Sequence, residues 1–229
     1  MNTSTSPSRE FWFGVRAELP ILLGVIPFGL IYGILALGAG LSPFDAQAMS
    51  TVVFAGSAQF MTAQLISAAT PMLVVIVTGF VINLRHALYS ASIAPYTKHL
   101  PLSWKAALAY LLTDEAYAVT IIHYQQEGEL TYKHWFFLGA GLALWTCWQI
   151  STGVGIFLGA QIPAAWGLDF ALPLTFIALV VPGLKDRPGV ITAAIASLAA
   201  LLFFGFPFKL GLLASAFVAI AAGLWSEGK

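Results

Sequence analysis

The chain has 229 residues, of which 59% are hydrophobic and only 9% are charged, and its formal net charge is zero. Soluble domains carry about 25% charged residues. The composition therefore excludes a soluble globular domain and predicts an all-α integral membrane protein, a polytopic helical bundle of about seven or eight apolar segments. The balanced charge predicts no nucleic-acid partner. The single cysteine, Cys147, excludes an intrachain disulfide and a cysteine metal cluster.

The sequence divides into a polar N-terminal segment (1–18), one transmembrane helical domain (19–225) and a short C-terminal tail (226–229). The apolar run after the polar segment is longer than a signal-peptide core, so we expect no cleaved signal. The first predicted helix runs from Leu19 to Gly40. Pro27 in its middle removes a backbone hydrogen bond, which predicts a bent helix whose bend is either only structural or shapes a binding site.

The segment from 46 to 70 is too polar for a helix that faces lipid. Its centre contains the small and polar residues Gly56, Ser57 and Gln59. Small residues at membrane depth are typical of a broken or re-entrant helix. They are equally typical of an unbroken helix buried in a bundle. Both interpretations place this segment inside the protein.

Arg85 lies within an apolar run, where a charged side chain costs roughly 2.5–3.5 kcal/mol on insertion scales. Such residues face a bundle interior or an aqueous cavity. On a helix, Asn83 and His86 share one stripe, and Arg85 and Tyr89 share another, so the polar surface is wide and must face protein or water. His86 either packs in the interior or carries a proton.

Asp114 and Glu115 are adjacent carboxylates in the middle of a predicted helix from Trp104 to Gln126. An acidic pair deep in a bundle predicts an ion pair of Arg85 with Asp114 or with Glu115, and this pair is either functional or purely structural. Repulsion between such close carboxylates favours a retained proton on one of them. The candidates for proton coupling are Glu115, Asp114 and His86.

After this helix the sequence predicts, in order, a hydrophilic loop (126–133), an apolar segment (134–162), a span capped by Asp169 (170–184), a charged loop (185–188) and two apolar spans (189–205 and 207–225). Trp145, Trp148 and Gln149 lie deep in the apolar segment and are candidates to line a pocket. With a cytoplasmic N-terminus, the basic loop around Lys98 falls inside only if segment 46–70 is re-entrant. The positive-inside rule therefore favours re-entrance.

The sequence contains no Walker motif, glycine-rich nucleotide fingerprint, HExxH motif or nucleophile elbow. We therefore expect that this protein is not an enzyme and that it binds no cofactor and no metal ion. An intramembrane arginine, two carboxylates and a kinked helix instead indicate a solute pathway. The candidate pathway residues are Pro27, Gly56, Ser57, Gln59, Asn83, Arg85, His86, Tyr89, Asp114 and Glu115.

Four motifs in this order resemble the AzlC family, the bacterial branched-chain amino acid permeases tied to azaleucine resistance. They are Pro27-Phe28-Gly29, Phe54 to Phe60, Asn83 to His86 with Leu88-Tyr89, and Thr113 to Glu115 with Tyr117. The resemblance runs from about Phe13 to Val190. It implies export of valine, leucine and isoleucine across the bacterial inner membrane, together with a small AzlD-type membrane subunit.

A zwitterionic amino acid needs a cation or a helix N-terminus for its carboxylate and an anion for its amine. Arg85, or the N–H groups near Gly56 and Ser57, would take the carboxylate, and Asp114 or Glu115 would take the amine. With no ATP site in the sequence, proton antiport is the hypothesis for energy coupling. Two alternatives stay open: an uncoupled channel or facilitator for small amphipathic solutes, and a structural subunit of a transport complex.

Overall fold

The computed structural model describes residues 6–125, 132–161, 181, 184, 186–206 and 210–227. The helices over these residues are α1 (Pro7–Gly38), α2 (Pro43–Val52), α3 (Gly56–Ser67), α4 (Met72–Asn83), α5 (Arg85–Thr97), α6 (Leu102–Tyr110), α7 (Asp114–Gln125), α8 (Lys133–Gly159), α9 (Arg187–Leu202) and α10 (Leu210–Glu227). Within this described part, three stretches are long and apolar enough to cross a membrane: α1, α4 with α5, and α8. The predicted all-α membrane bundle is confirmed. Residues 126–131 of the predicted loop 126–133, the cap Asp169 and most of the span 170–184 lie outside the described residues.

α1 begins well before the predicted first helix. Ser6 caps it, Pro7 occupies its first turn, and the helix continues through Pro27. The expected start at Leu19 is therefore wrong, because the polar segment before it is helical. Within this segment Glu10 and Glu18 are buried against the bundle while Arg9 and Arg16 are exposed, so the segment has one packed face and one exposed face, as a helix requires. The division into three domains stays a prediction.

α1 and α8 pack side by side in the same direction. Near the start of α1, a Cβ on Gly14 would meet the carbonyl oxygen of Phe136. Further along, a Cβ on Gly33 would lie 2.5 Å from the carbonyl oxygen of Thr152. Glycine at these positions lets the two backbones approach closely, as is common between membrane helices. We call the end of the bundle at Pro7 the N-side and the end at Gly38 the opposite side.

α2 and α3 form a hairpin that enters from the opposite side and returns to it. α2 runs antiparallel to α8, because Gln47 lies near Gly153 while Thr51 hydrogen-bonds to Gln149. The helix breaks at residues 53–55. α3 then runs back, and both arms contact Tyr32, whose hydroxyl donates to the Ala46 carbonyl and whose ring meets Phe60 edge-on. The predicted break in segment 46–70 is confirmed, and the return of the chain makes it re-entrant.

α4 and α5 make one crossing with an interruption at Leu84. The Leu84 N–H donates to the Val81 carbonyl and the Ala87 N–H to the Leu84 carbonyl, so the hydrogen bonds here span three residues instead of four. The predicted continuous helix is therefore locally tightened beside Arg85. α5 runs back toward the N-side.

α6 and α7 form a second hairpin, which enters from the N-side. α6 is parallel to α8, since Trp104 contacts Trp135 and Tyr110 accepts a hydrogen bond from Trp145. α7 runs the other way and brings His123 back to the start of α1. The predicted single helix from Trp104 to Gln126 is therefore wrong. It breaks at residues 111–113, so Asp114 and Glu115 begin a helix instead of lying in the middle of one.

Two hairpins thus enter the bundle from opposite sides, and their tips meet at its centre. The chain crosses in α1, returns in the hairpin of α2 and α3, and crosses back in α4 and α5. It then returns in the hairpin of α6 and α7 and crosses again in α8, so α1 and α8 point the same way. α9 and α10 add an antiparallel pair, in which Gly223 faces Thr192 and Gly211 faces Phe203. The end of α9 and the start of α10 line a small cavity with the end of α3, including Leu65, on the opposite side.

Candidate functional site

A cavity of about 270 Å³ lies between the tips of the two hairpins. Its size lies just below the range of typical small-molecule sites, which is roughly 300–1,000 Å³. Most of its wall is apolar, and it includes Ile21, Val25, Phe28, Phe54, Phe60, Leu144 and Trp148. Its polar side chains are Ser57, Arg85, His86, Thr113, Asp114 and Glu115. An apolar chamber with charges of both signs suits a small amphipathic solute.

Arg85 ties the two hairpin tips together. One terminal nitrogen, Nη1, lies 2.6 Å from Oδ2 of Asp114 on the second hairpin. The other, Nη2, donates to Oγ of Ser57 on the first hairpin at 2.5 Å. Only a planar guanidinium presents two donors in such a fixed fork. Of the two carboxylates left open by the sequence, the structure pairs Arg85 with Asp114.

The start of α3 presents its positive end to the cavity. Ala55 precedes this helix in an extended conformation and supplies no side-chain cap. The first N–H groups of a helix lack intrahelical partners and carry partial positive charge. Gly56 brings these groups close to the wall, since a Cβ there would lie 3.1 Å from the Trp148 ring. The arrangement favours an anionic group beside Arg85.

The start of α7 presents negative charge to the same space. The Thr113 hydroxyl accepts a hydrogen bond from the Ala116 N–H at 3.3 Å and so caps the helix. Asp114 and Glu115 occupy its first turn, where the helix dipole stabilises carboxylates. Asp114 is engaged by Arg85, which leaves Glu115 as the second acidic group of the cavity.

His86 lines the cavity one residue beyond Arg85. Its Nε2 is buried and has no hydrogen-bond partner among the described residues. Its ring meets that of Tyr89 edge-on at 6.0 Å, and Tyr89 stacks on Tyr117 at 4.5 Å. Tyr89 therefore packs behind the ion pair, beside Asp114, rather than in the cavity wall.

The structure brings together six of the ten predicted pathway residues in the cavity wall: Gly56, Ser57, Arg85, His86, Asp114 and Glu115. The other four lie elsewhere. Gln59 is fully buried within α3, Asn83 ends α4, Pro27 precedes the lining residue Phe28, and Tyr89 packs behind the wall. Which of the ten a solute contacts stays a prediction.

The other sequence candidates for a pocket separate in the same way. Trp148 lines the cavity. Trp145 donates from Nε1 to the Tyr110 hydroxyl at 2.7 Å, and Gln149 bonds to α2, so both fasten the hairpins to α8. Sequence analysis missed Glu18, a fully buried carboxyl beside Glu115, because it was assigned to the polar N-terminal segment. The eight-residue spacing from the buried Glu10 is a helical signal that indicates the same face.

Comparison with known proteins bears on the same region. The model of the AzlC protein family matches residues 20–162, which include both hairpins and the cavity. The chain is 25% identical over 228 residues to the inner membrane protein YgaZ of Escherichia coli K12, covering 95% of this chain and 93% of that protein. It is 31% identical over 188 residues to an uncharacterized membrane protein of Archaeoglobus fulgidus, covering 80% of each.

A third relative has a name that refers to transport. The chain is 26% identical over 215 residues to the branched-chain amino acid transport protein AzlC of Bacillus subtilis, covering 90% of this chain and 83% of that protein. No solved structure is significantly similar to the chain. With more than half of its length matched by the family model, this membrane protein belongs to the AzlC family.

Proposed function

We propose that this protein is a transporter, not an enzyme, and that it exports branched-chain amino acids through the cavity between its two hairpins. The observation that carries the proposal is the Arg85 guanidinium, which binds Asp114 on one hairpin tip and Ser57 on the other at the edge of an apolar chamber. Relatedness to a branched-chain amino acid transport protein supports the choice of substrate. The apolar wall suits an aliphatic side chain of modest size.

The chemistry of the wall suggests how the substrate lies. Its carboxylate is placed against Arg85 and the free N–H groups at the start of α3. Its ammonium group is placed against Glu115, with Asp114 nearby. Its aliphatic side chain then faces the apolar wall around Phe28 and Leu144. This pose satisfies both charges and leaves only apolar surface against the wall.

The same pose links binding to movement. The substrate carboxylate competes with Asp114 and Ser57 for the Arg85 guanidinium. Each bond that Arg85 exchanges for a bond to the substrate loosens the connection between the two tips. Because the tips belong to hairpins that enter from opposite sides, their separation opens the chamber toward one side or the other, as alternating access requires.

The charge distribution supports a cytoplasmic N-side. Basic residues at this end are Arg9, Arg16, Lys98, Lys105 and Lys133. The connections 39–42 and 68–71 on the opposite side contain no lysine or arginine, and the segment between α9 and α10 contains one, Lys209. Cytoplasmic loops are enriched in basic residues. This orientation fits a bacterial inner membrane protein that uses proton antiport for export, with Glu115, Asp114 and His86 near the substrate.

The test is efflux of leucine and valine from preloaded cells that lack their own exporters. Four strains are compared: this chain alone, this chain with its small AzlD-type partner, and the paired chains carrying either Arg85→Gln or the control Lys98→Gln. Lys98 is exposed on the N-side, so its variant removes one positive charge far from the cavity.

We expect efflux with the partner present, its loss in Arg85→Gln and its retention in Lys98→Gln. Full efflux by an Arg85→Gln protein that is inserted in the membrane would contradict a role of the Arg85 guanidinium in transport. No efflux from any strain, with all proteins present in the membrane, would contradict the substrate assignment. Efflux by the chain alone would contradict the need for a partner.

A further inference from the structure

Glu18 is a buried carboxyl at the edge of the substrate site. Its side chain is 0% exposed, and neither carboxyl oxygen has a hydrogen-bond partner among the described residues. The charged group that interacts with it is Glu115 of α7, another carboxyl. Burying an unpaired carboxylate is very costly, and protonation removes the charge. The site therefore suits a group that gains and loses a proton.

Among the described residues, the helices around Glu18 supply no cation to neutralise it. Between Phe136 and Trp148, the titratable group of α8 is the thiol of Cys147, and α3 has no charged residue. On the cavity side, Arg85 is engaged by Asp114, and His86 lies beyond it. On the N-side, His123 is engaged by Glu10. Arg16 is exposed on another face of α1.

Polar groups continue from Glu18 toward the N-side. α1 and α7 are antiparallel, so Glu18 lies opposite Glu115 and Glu10 lies opposite His123. Between them on α7 is Thr120, which is 0% exposed and whose hydroxyl has no hydrogen-bond partner among the described residues. The rise along α7 is about 7.5 Å from Glu115 to Thr120 and about 4.5 Å from Thr120 to His123. Two hydrogen bonds through one water join polar atoms about 5.5 Å apart, so one water suffices for the shorter rise and the longer rise needs two.

His123, one of these polar groups, is held in one orientation by the rings around it. Its ring stacks on Phe136 at 3.9 Å with planes 13° apart, and Phe13 meets it edge-on at 5.4 Å. Its Nε2 lies 3.0 Å from Oε2 of Glu10, while Nδ1 is buried with no partner in the described part of the chain. An imidazole can accept a proton at one nitrogen and release a proton from the other. The two nitrogens therefore connect the buried interior with Glu10.

We propose that Glu18 carries the proton that drives transport, and that Thr120, His123 and Glu10 form the route from Glu18 to the N-side. The proposal rests on the transport function above and names the coupling group of that site. In each cycle the Glu18 carboxylate binds one proton that enters through the cavity. The carboxyl then releases this proton through His123 and Glu10 to water on the N-side, and no other reactant is consumed.

The test uses the full chain with its small partner, purified and reconstituted into liposomes that contain a pH-sensitive dye. The first measurement is exchange of labelled for unlabelled leucine at equal concentrations, which needs no net proton movement. The second is leucine-dependent proton flux. Glu18→Gln keeps the size of the side chain but removes its ability to bind and release a proton. Asp45→Asn, which removes an exposed carboxylate at the start of α2, is the control.

We expect Glu18→Gln to exchange leucine like the wild type and to show no proton flux above that of empty liposomes, while Asp45→Asn keeps both activities. Proton flux in Glu18→Gln equal to that of the wild type overturns the proposal. Loss of exchange together with proton flux, in a protein that is still monodisperse, also overturns it, because Glu18 then serves substrate binding or packing. Wild-type exchange without proton flux overturns it in favour of an uncoupled facilitator.

Absence of leucine exchange in the wild type is a different result, since it rejects the proposed substrate rather than the coupling group. If Glu18→Gln does not fold, Glu18→Asp must retain leucine-dependent proton flux. Thr120→Val and His123→Gln must slow proton flux while exchange stays unchanged. Unaltered flux in both of these variants overturns the route.

Discussion

Arg85 Nη1 and Asp114 Oδ2 lie 2.6 Å apart, and this ion pair joins the first residue of α5 to the first residue of α7. The side chains are 32% and 37% exposed, so the cavity partly solvates them. Partial exposure weakens the attraction but also reduces the cost of desolvation. An ion pair in this setting can open and re-form, which a deeply buried pair does not do readily.

The first prediction concerns the strength of this pair. In a double-mutant cycle of Arg85→Gln and Asp114→Asn, we expect a coupling energy of about 0.5–3 kcal/mol, because each single variant removes the same interaction. The measurement is thermal or denaturant stability of the purified protein. Combining Arg85→Gln with the distant Asp45→Asn should instead be additive within about 0.5 kcal/mol. Additivity of the Arg85 and Asp114 variants would contradict the pair.

A second prediction concerns the contact of α1 with α8. Gly33→Ala should destabilise the protein by about 1–3 kcal/mol, because the new Cβ would meet the backbone of α8 and force the helices apart. Its position is 2.5 Å from the Thr152 carbonyl oxygen and 2.6 Å from the Ile156 nitrogen. Gly38→Ala is the matched control, since nothing lies within 4 Å of a Cβ there. Melting temperatures that fall equally in both variants would argue against the close packing.

A third prediction concerns the re-entrant hairpin of α2 and α3. With Cys147 replaced by serine, single cysteines at Ser42 and Ala68 should both react with an impermeant maleimide from outside intact cells. A cysteine at His99 should react only after permeabilisation. Both results follow from the proposed orientation, in which the N-side is cytoplasmic. α2 begins and α3 ends on the opposite side, while α5 ends on the N-side. Labelling of Ser42 and Ala68 positions from different sides would show that segment 46–70 spans the membrane.

A fourth prediction concerns the apolar wall. Leu144 is 2% exposed and lines the cavity, so Leu144→Ala enlarges the space for a side chain. Efflux of phenylalanine relative to valine should rise by about tenfold, since one or two methylenes in such a pocket discriminate by this order. Leu142→Ala, two residues away and 37% exposed, should leave the ratio unchanged. Equal ratios in both variants would place the side-chain site elsewhere.

The sequence predicts the structure best where the signal is local. The polar and small residues Gly56 and Ser57 indicate either a broken helix or a buried unbroken one, and the helix breaks immediately before them. Arg85 within an apolar run predicted an acidic partner on the next helix, and Asp114 is that partner. Both inferences follow from the high cost of unsatisfied polar groups in a membrane, which holds wherever the segment lies.

The second hairpin was missed although a local signal exists. Thr113 followed by two acidic residues is typical of a helix start. Apolar residues surround it on both sides, and their composition equally fits one unbroken helix from Trp104 to Gln126. A chain that crosses and a chain that turns back have the same local hydropathy. Contacts of Tyr110 with Trp145 and of His123 with Glu10, far apart in sequence, decide between them.

The amino-acid sequence is enough to establish a helical membrane bundle with a polar centre at Arg85, because the content of apolar and charged residues is read directly from it. Three features required the folded structure: two hairpins meet there from opposite sides, Arg85 pairs with Asp114 rather than Glu115, and Glu18 lies beside the cavity. Each of these depends on which helices pack together and in which direction. The packing is set by long-range contacts, such as the glycine-lined seam of α1 and α8, that no single segment specifies.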